Sequence, residues 1–337
     1  TSANAANTCT SGITDMSKLF LDSSVNMDIS TWDVSSVTNM SEMLSGASFF
    51  NQDISNWDVS SVADMSQMFS GASDFDQDIS SWDVSNVTDM SFMFQDATAF
   101  NQNIGSWQVG SVTDMRFMFE GASNFKQDIG NWDVSNVTIM DQMFAGASAF
   151  NGDISGWTVS SVNRMSAMFK DASAFNQDIS GWNVGQVTSM FKMFDNADAF
   201  DQNLGNWNVS NVTSMGNMFD NGSQLSTPNY DALLIGWSQL TLQSNVTFDA
   251  GGSQFSSSAE AARTSITNND MWTINDGGSV FQLAGNGVTV TCDAAAVGDS
   301  GDVTINGTAT TFTKRTNKSN ITTANAATTC TSGITDI

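Results

Sequence analysis

The sequence predicts an α/β repeat solenoid, a stack of about eight turns of chain that share one core. Tryptophan recurs every 25 residues from Trp32 to Trp207. Methionine, valine, phenylalanine and isoleucine keep the same spacing, for example from Met40 to Met215. Within one repeat, the apolar residues follow first a helical period and then a strand period. These observations together indicate stacked copies of one short structural unit.

The first half of each repeat has the spacing of a helix. Its apolar residues stand at positions i, i+3, i+4 and i+7, which lie on one helix face. In the first full repeat these residues are Met40, Met43, Leu44 and Ala47. We therefore expect a short α- or 3₁₀-helix in each turn.

The second half has the spacing of a strand. Its apolar pattern is I-x-x-W-x-V, and polar residues alternate with the tryptophan and the valine, which is the period of a half-buried strand. In one repeat the apolar residues are Ile54, Trp57 and Val59. The polar residues that this strand would expose are Asn56, Asp58 and Ser60.

Stacking is what gives such a chain a core. A single turn cannot enclose its own apolar residues, so each turn buries them against the copies above and below. Burial contributes roughly 0.8 kcal/mol per CH₂ group. The Trp and Met columns occupy the apolar phase of both halves, so we interpret them as core and not as a redox or ligand site.

The repeats occupy residues 13–224, after the tail of an N-terminal cap at residues 1–12. Residues 225–282 form the predicted α+β C-terminal cap, with the order helix, strand, helix, strand. Its first helix is predicted to start with Thr227 as the N-cap and Pro228 in the first position. The task of such a cap is to cover the apolar residues of the last turn.

The last segment, residues 283–337, is predicted to be a β-rich linker and the start of a next unit. Residues 322–337 repeat residues 1–16 at an offset of 321. The chain thus ends by restating its own beginning. It is either one unit of a longer tandem array or a separate subunit that assembles head to tail, and in both cases its partners are neighbouring copies.

The composition excludes several classes of function. A net charge of −25, from 10 basic and 35 acidic residues, opposes binding to a nucleic acid backbone. The absence of histidine excludes Ser-His and Cys-His catalysis. The acidic residues recur evenly, with no distinct pair of the kind that glycosidases use, so we expect no enzyme. No apolar run is long enough for direct membrane insertion. Few basic residues and many Ser, Thr, Asn and Gly indicate an extracellular protein.

Two polar columns are candidate sites. The first follows the tryptophan and is a candidate ligand-binding face of the strand: Asp33, Asp58, Asp83, Asp133, Asn183 and Asn208. The second is a candidate Ca²⁺ site: Asp28, Asp53, Asp78, Asp128, Asp153 and Asp178. Carboxylates about 4.8 Å apart repel one another, and calcium would relieve that repulsion. The alternative is that one column caps turns by accepting backbone hydrogen bonds and the other is a solvated face.

The three cysteines allow one disulfide within the chain. In a tandem array, Cys292 would pair with Cys330, and Cys9 would pair with a cysteine of the preceding unit. The alternative is that these cysteines remain free thiols.

The pattern I-x-x-W-x-V resembles the L-x-x-L-x-L core of leucine-rich repeats. More closely, the segment "NVTDMSFMFQDATAFNQNIGSW" at residues 86–107 resembles the BspA-like surface-protein repeat of secreted bacterial adhesins. The resemblance extends over about residues 12–225. It implies a leucine-rich-repeat solenoid with an α+β C-terminal cap, displayed at the bacterial cell surface.

The expected function is therefore that of a non-enzymatic, extracellular adhesive or structural repeat unit. Its partners would be neighbouring copies and surface glycans or proteins. Two alternatives remain open at this point: a Ca²⁺-dependent carbohydrate-binding module, and a self-assembling extracellular filament subunit.

Overall fold

A computed structural model describes residues 10–280, together with the backbone of five short strands beyond them. The helices are α1 (Thr227–Trp237) and α2 (Glu260–Asn269). The strands are β1 (Thr247–Asp249), β2 (Thr273–Asn275), β3 (Gln282–Leu283), β4 (Val290–Thr291), β5 (Ser300–Ile305), β6 (Thr308–Lys314) and β7 (Thr329–Cys330). None of the helices in this described part of the chain has the length and apolar character needed to cross a membrane.

The repeats form a stack of coils that run parallel to one another. Asp15 pairs with Asn39 in a parallel bridge, and Asn39 pairs in the same way with Asp64. Further bridges continue at 25-residue steps as far as Ser214. The first step is one residue shorter, as the sequence of the first repeat indicates. Each coil therefore lies directly on the next.

The half of each coil with helical spacing is a series of tight turns, so the predicted helix is wrong. The N–H of Met43 donates to the carbonyl oxygen of Met40 at 3.1 Å. The N–H of Ser45 donates to the carbonyl oxygen of Glu42 at 3.2 Å. A helix cannot form because φ is 56° at Glu42 and 70° at Gly46, in the left-handed region. Successive turns still place residues three and four positions apart on one side, so the spacing identified the buried residues correctly.

The remaining peptide groups of these turns align along the stack. The N–H of Glu42 donates to the carbonyl oxygen of Ser66 in the next coil at 2.8 Å. The N–H of Gly46 donates to the carbonyl oxygen of Ser70 at 2.7 Å. The same bonds recur at four positions of the turn face, which we define as residues 39–46 and their equivalents in other coils. These N–H groups point toward the C-terminal end and the carbonyl groups toward the N-terminal end. The columns therefore resemble the head-to-tail peptide dipoles of a helix.

The half with strand spacing contains no regular strand, which corrects the second local prediction. The N–H of Trp57 donates to Ile54 at 3.1 Å, and that of Val62 donates to Val59 at 2.9 Å. These two tight turns prevent the extended pairing that a strand requires. Asp58 is nevertheless exposed between two buried residues, as the alternation indicates. The leucine-rich-repeat class of the stack stays a prediction.

Columns of aromatic rings fill the core. Phe75 and Phe100 stack with 6.0 Å between ring centroids, and Trp57 and Trp82 stack with 6.3 Å. The indole N–H of Trp82 donates to the carbonyl oxygen of Ile54 in the preceding coil at 3.1 Å. The methionine columns are buried beside them. The assignment of the Trp and Met columns to the core is confirmed, and each coil is joined to its neighbour by ring contacts.

Elements α1, β1, α2 and β2 close the C-terminal end of the stack, and β1 pairs in parallel with β2. Trp237 of α1 is fully buried, and its indole N–H donates to Leu204 of the last coil at 3.1 Å. The N-cap of α1 is Ser226 and not Thr227, because Ser226 is extended while Thr227 is already helical. The hydroxyl of Ser226 donates to Asp201 at 2.9 Å and does not cap the helix.

The strands beyond residue 280 form two small sheets. β3 pairs with β4, and a second sheet has the order β5-β6-β7. β5 and β6 are antiparallel and pair up to Ile305 and Thr308. The two residues between them in the sequence are Asn306 and Gly307, a dipeptide that favours tight hairpin turns. β7 is parallel to β6. These strands lie in the segment for which the sequence predicts β-rich structure.

Candidate functional site

The first polar column caps turns within its own coil. The carboxylate Oδ1 of Asp58 accepts a hydrogen bond from the N–H of Ser60 at 3.1 Å and from its hydroxyl at 2.6 Å. The amide of Asn183 does the same for the N–H of Gly185 at 3.2 Å. The structure aligns the whole predicted set in this way, at Asp33, Asp58, Asp83, Asp133, Asn183 and Asn208. One oxygen of each side chain is thus committed to its own turn.

The second column has the same local geometry. The Oδ1 atom of Asp53 accepts from the N–H of Ser55 at 2.9 Å. The residues that behave in this way are Asp28, Asp53, Asp78, Asp128, Asp153 and Asp178. Among residues 10–280 there is no group of three or more acidic or cysteine side chains close enough to hold a metal ion.

Hydrogen bonding and charge repulsion act in opposite directions in this column. The hydroxyl and N–H of Ser55 lower the pKa of Asp53, whereas the charges of Asp28 and Asp78 raise it. The lowering is the larger effect, so the carboxylate stays ionised despite its acidic neighbours. In the first column, Ser85 lowers the pKa of Asp83 by the same contacts.

A third capping column was missed in the sequence. The Oδ1 atom of Asp64 accepts from the N–H of Ser66 at 2.9 Å, and that of Asp89 accepts from Ser91 at 2.8 Å. The signal is a shared tripeptide, because the three columns read "DIS", "DVS" and "DMS" in the sequence. The spacing Asp-x-Ser therefore predicts a capped turn at each of three places in a coil.

The turn face is where side chains depart most from the repeat. The half-buried rings of Phe92 and Phe117 stack there with 4.5 Å between centroids and an interplanar angle of 8°. The guanidinium of Arg116 pairs with Asp114 on the same face. Arg164 pairs with the buried carboxylate of Asp141 at 2.6 Å. Aromatic and cationic side chains thus both lie on this face.

A cavity of about 600 Å³ lies where the last coil meets the C-terminal cap. Its lining includes Asp249, whose Oδ2 atom accepts from the N–H of Asn217 at 2.5 Å. It also includes Arg263, which is paired with Asp276 at 2.7 Å. The contact between Asn217 and Asp249 joins the last coil to the cap, and the pair of Arg263 and Asp276 lies within the cap.

The predicted cysteine pairing falls outside this description. Cys9 and Cys292 lie outside the described residues, and only the backbone of Cys330 is described, at the end of β7. The pairing of Cys292 with Cys330, and of Cys9 with a preceding unit, stays a prediction.

Comparison with known proteins identifies a family. Residues 14–132 and residues 118–231 each match the family described as "Mycoplasma protein of unknown function, DUF285". The two matches overlap and together extend over well more than half of the chain. No significant match was found among curated proteins or among solved structures. The chain therefore belongs to the DUF285 family, and it is a repeat-containing member because the family matches it twice in succession.

Proposed function

We propose that the chain is a non-enzymatic, extracellular adhesive and structural repeat unit of the BspA-like type, arrayed in tandem on a bacterial cell surface. The leucine-rich-repeat class of the stack is part of this proposal. Its partners would be neighbouring copies of the same unit and glycans or proteins of the surfaces that it meets.

One observation carries this proposal: the coils are nearly identical, and their variation concentrates on the turn face. The capped acidic turns and the aromatic core make each coil rigid. The turn face then presents groups of different chemistry, such as Phe92, Phe117 and Arg116, on that rigid support. Many weak contacts along such a face add up when several copies are linked, which suits adhesion.

The test measures attachment under flow. Inert beads are coated with the purified chain and passed over surfaces of immobilised mucin or fibronectin. We expect more beads to be retained than with an albumin coating. If the retention on both surfaces equals that of albumin, the adhesive function is wrong.

Matched variants locate the attachment. The equivalents of Phe92 and Phe117 in neighbouring coils are Gln67 and Gln142, so the double variant F92Q/F117Q uses residues that the fold already holds there. It should reduce retention severalfold. The variant F49A removes an exposed phenylalanine outside the turn face and should leave retention unchanged. Equal effects of both variants would contradict a role of the turn face.

A further inference from the structure

The basic residues of the stack lie mainly on the turn face. Residues 13–224 contain six of them, and the five on this face are Lys18, Arg116, Arg164, Lys170 and Lys192. Each of these five pairs with a carboxylate. Within residues 10–280, by contrast, no cation pairs with a member of the two candidate polar columns. A second molecule with the same charge of −25 would therefore meet the least repulsion at the turn face.

Charge is distributed unevenly along this face. We number the coils from 1, whose turn face is residues 39–46, to 8, whose turn face is residues 214–221. Coil 6, at residues 164–171, has two basic residues and one acidic residue. It is the only one of the eight turn faces with a basic excess. Coil 4, at residues 114–121, has one basic and two acidic residues, so opposite net charges stand at equal distances from coil 5.

The sizes of two side chains are matched about coil 5 in the same way. The half-buried ring of Phe117 in coil 4 has the small, buried Ala167 as its equivalent in coil 6. Phe191 in coil 7 is 41% exposed, and its equivalent in coil 3 is Ser91, which is 7% exposed. Both projecting rings thus have a small residue at the same position on the other side of coil 5.

Coil 5 itself presents an uncharged centre. The third capping column has Asp89 in coil 3 and Asp114 in coil 4, but the half-buried Ile139 in coil 5. Isoleucine cannot accept the backbone hydrogen bond that an aspartate accepts at this position. The carboxylate of Asp141 in the same coil is buried and accepts the N–H of Ser166 at 2.8 Å. Coil 5 thus lacks a capping aspartate and has an apolar side chain in its place.

We propose that the turn face binds the turn face of a second copy of the chain, in an antiparallel, two-fold arrangement centred on coil 5. This inference rests on the proposed adhesive function and names a partner for it, the same protein on a facing surface. A two-fold axis across the face brings each coil before coil 5 onto the coil equally far beyond it, at equivalent positions. Glu120 then faces Lys170 of the second copy, and Asp114 faces Arg164. Ile139 lies at the axis and meets its own counterpart.

This arrangement places unlike groups opposite each other in the middle of the face. The projecting rings of Phe117 and Phe191 each face a small residue of the second copy. Phe92 faces Lys192, whose ammonium group already lies 5.7 Å from the ring centroid of Phe191. A cation beside an aromatic ring is favourable. A parallel arrangement would place coil 6 on coil 6 and coil 4 on coil 4, so equal net charges would face each other.

Charge reversals in the full-length chain test the proposal. E120K sets two lysines against each other at both copies of the proposed contact, and K170E sets two glutamates against each other. Sedimentation velocity at rising protein concentration measures association. We expect the wild type to form a dimer of two 36.0 kDa chains. Each variant alone should dimerise about tenfold more weakly, and an equimolar mixture of the two should regain the affinity of the wild type as a heterodimer.

Further variants separate the proposed contact from general effects of charge and folding. E120K makes the chain less negative, so a weaker dimer cannot come from overall repulsion. K126E changes the charge as K170E does but lies outside the turn face, so it should dimerise like the wild type. I139D restores the aspartate of the capping column, so it should melt no lower than the wild type. It should nevertheless weaken the dimer, because two carboxylates would meet at the axis.

A wild type that stays monomeric at every concentration would overturn the proposal. So would a mixture that does not regain the affinity, or a dimer that I139D leaves unchanged. Unchanged thermal melting shows that E120K and K170E are folded. The bead assay keeps the two proposals apart. Retention on mucin by a chain that stays monomeric contradicts the turn-face dimer alone, whereas a dimer without retention contradicts attachment to other molecules alone.

Discussion

The indole N–H of Trp107 donates a hydrogen bond to the carbonyl oxygen of Ile79 in the preceding coil at 3.0 Å. The same carbonyl oxygen also accepts the N–H of Trp82 at 3.2 Å, which closes a tight turn. One oxygen thus holds a turn of its own coil and a side chain of the next. This contact recurs along the tryptophan column and makes the coils interdependent.

Replacing Trp107 by phenylalanine should destabilise the stack. The change removes the hydrogen bond to Ile79 and leaves space in a site where Trp107 is only 2% exposed. We expect the free energy of unfolding to fall by about 2 kcal/mol, measured by urea denaturation. F49A, at a residue that is 59% exposed, should change it by no more than about 0.5 kcal/mol. Equal losses in both variants would contradict the structural role of the indole contact.

The buried residues could be predicted from the sequence, but the backbone between them could not. Period and polarity alone place Ile54, Trp57 and Val59 in the core, because a repeated apolar column has to be covered. The turn backbone depends on left-handed residues, and Glu42 is among them without being a type that favours this region. Gly46 and its equivalents did carry a signal, since glycine tolerates positive φ at little cost.

A glycine pair tests the backbone of the turn face. Gly121 has φ of 67°, and an added Cβ would also crowd the carboxylate of Asp96, so G121A should cost at least about 1 kcal/mol of unfolding free energy. Gly156 has no atom within 4 Å of an added Cβ and is not left-handed. G156A should therefore be neutral or stabilise by about 0.5 kcal/mol. Urea denaturation measures both, and equal effects would refute the left-handed geometry at Gly121.

The capped aspartates predict a loss of stability in acid. The contacts of Ser55 lower the pKa of Asp53 below its value in the unfolded chain, which is about 3.9. A carboxylate whose pKa is lower in the folded than in the unfolded state stabilises the protein at any pH above the unfolded-state pKa. This contribution is lost as the pH falls through the folded-state pKa. The melting temperature should stay level at neutral and mildly acidic pH and fall steeply below about pH 4.

An amide variant separates the hydrogen bond from the charge. Asn103 naturally caps the N–H of Gly105 at 3.0 Å in the same column. D28N/D53N/D78N should therefore keep its melting temperature at neutral pH and show a smaller fall in acid. The alanine variant of the same three residues should melt lower at every pH. If the amide and alanine variants melt alike at neutral pH, capping is not what these residues contribute.

The positions of the candidate site residues could be predicted from the sequence, but what their side chains do could not. Periodicity aligned Asp28, Asp53 and Asp78, yet it could not tell a capped turn from a ligand face. The distinction depends on whether a carboxylate oxygen points toward the backbone N–H two residues later, as Oδ1 of Asp53 does toward Ser55. The tripeptide Asp-x-Ser was the local signal for it.

Calcium gives a direct test of the second column. Because one carboxylate oxygen of each residue already accepts an N–H group, we expect Ca²⁺ and Mg²⁺ at equal ionic strength to leave the melting temperature the same. EDTA should also have no effect. A rise specific to Ca²⁺ that disappears in D28N/D53N/D78N would instead place a calcium site in this column.

A ladder of glutamine side chains along the stack is interrupted at one step. The side-chain amide of Gln77 donates to Asn51 at 2.7 Å, and that of Gln102 donates to Asp76 at 2.9 Å. The amide of Gln127 donates in the same way to Asn101 at 2.9 Å. At the following step, Lys126 stands in place of the acceptor and Gly152, one coil later, stands in place of the glutamine. The lysine side chain offers no acceptor, so a glutamine in place of Gly152 would keep only the backbone carbonyl oxygen of Lys126 as a partner, like the carbonyl oxygen of Asn101 that Gln127 contacts.

Restoring both residues should stabilise the stack more than the two single changes together. K126N alone should be nearly neutral. G152Q alone should be destabilising, because a Cβ atom there meets the carbonyl oxygen of Gln127 at 2.6 Å and the amide has no side-chain acceptor. In K126N/G152Q the new hydrogen bond should give a favourable coupling energy of about 1 kcal/mol in urea denaturation. The control cycle K126N/G181Q, with no atom within 4 Å of an added Cβ at Gly181, should be additive. Additivity in the first cycle as well would mean that the ladder contributes nothing to stability.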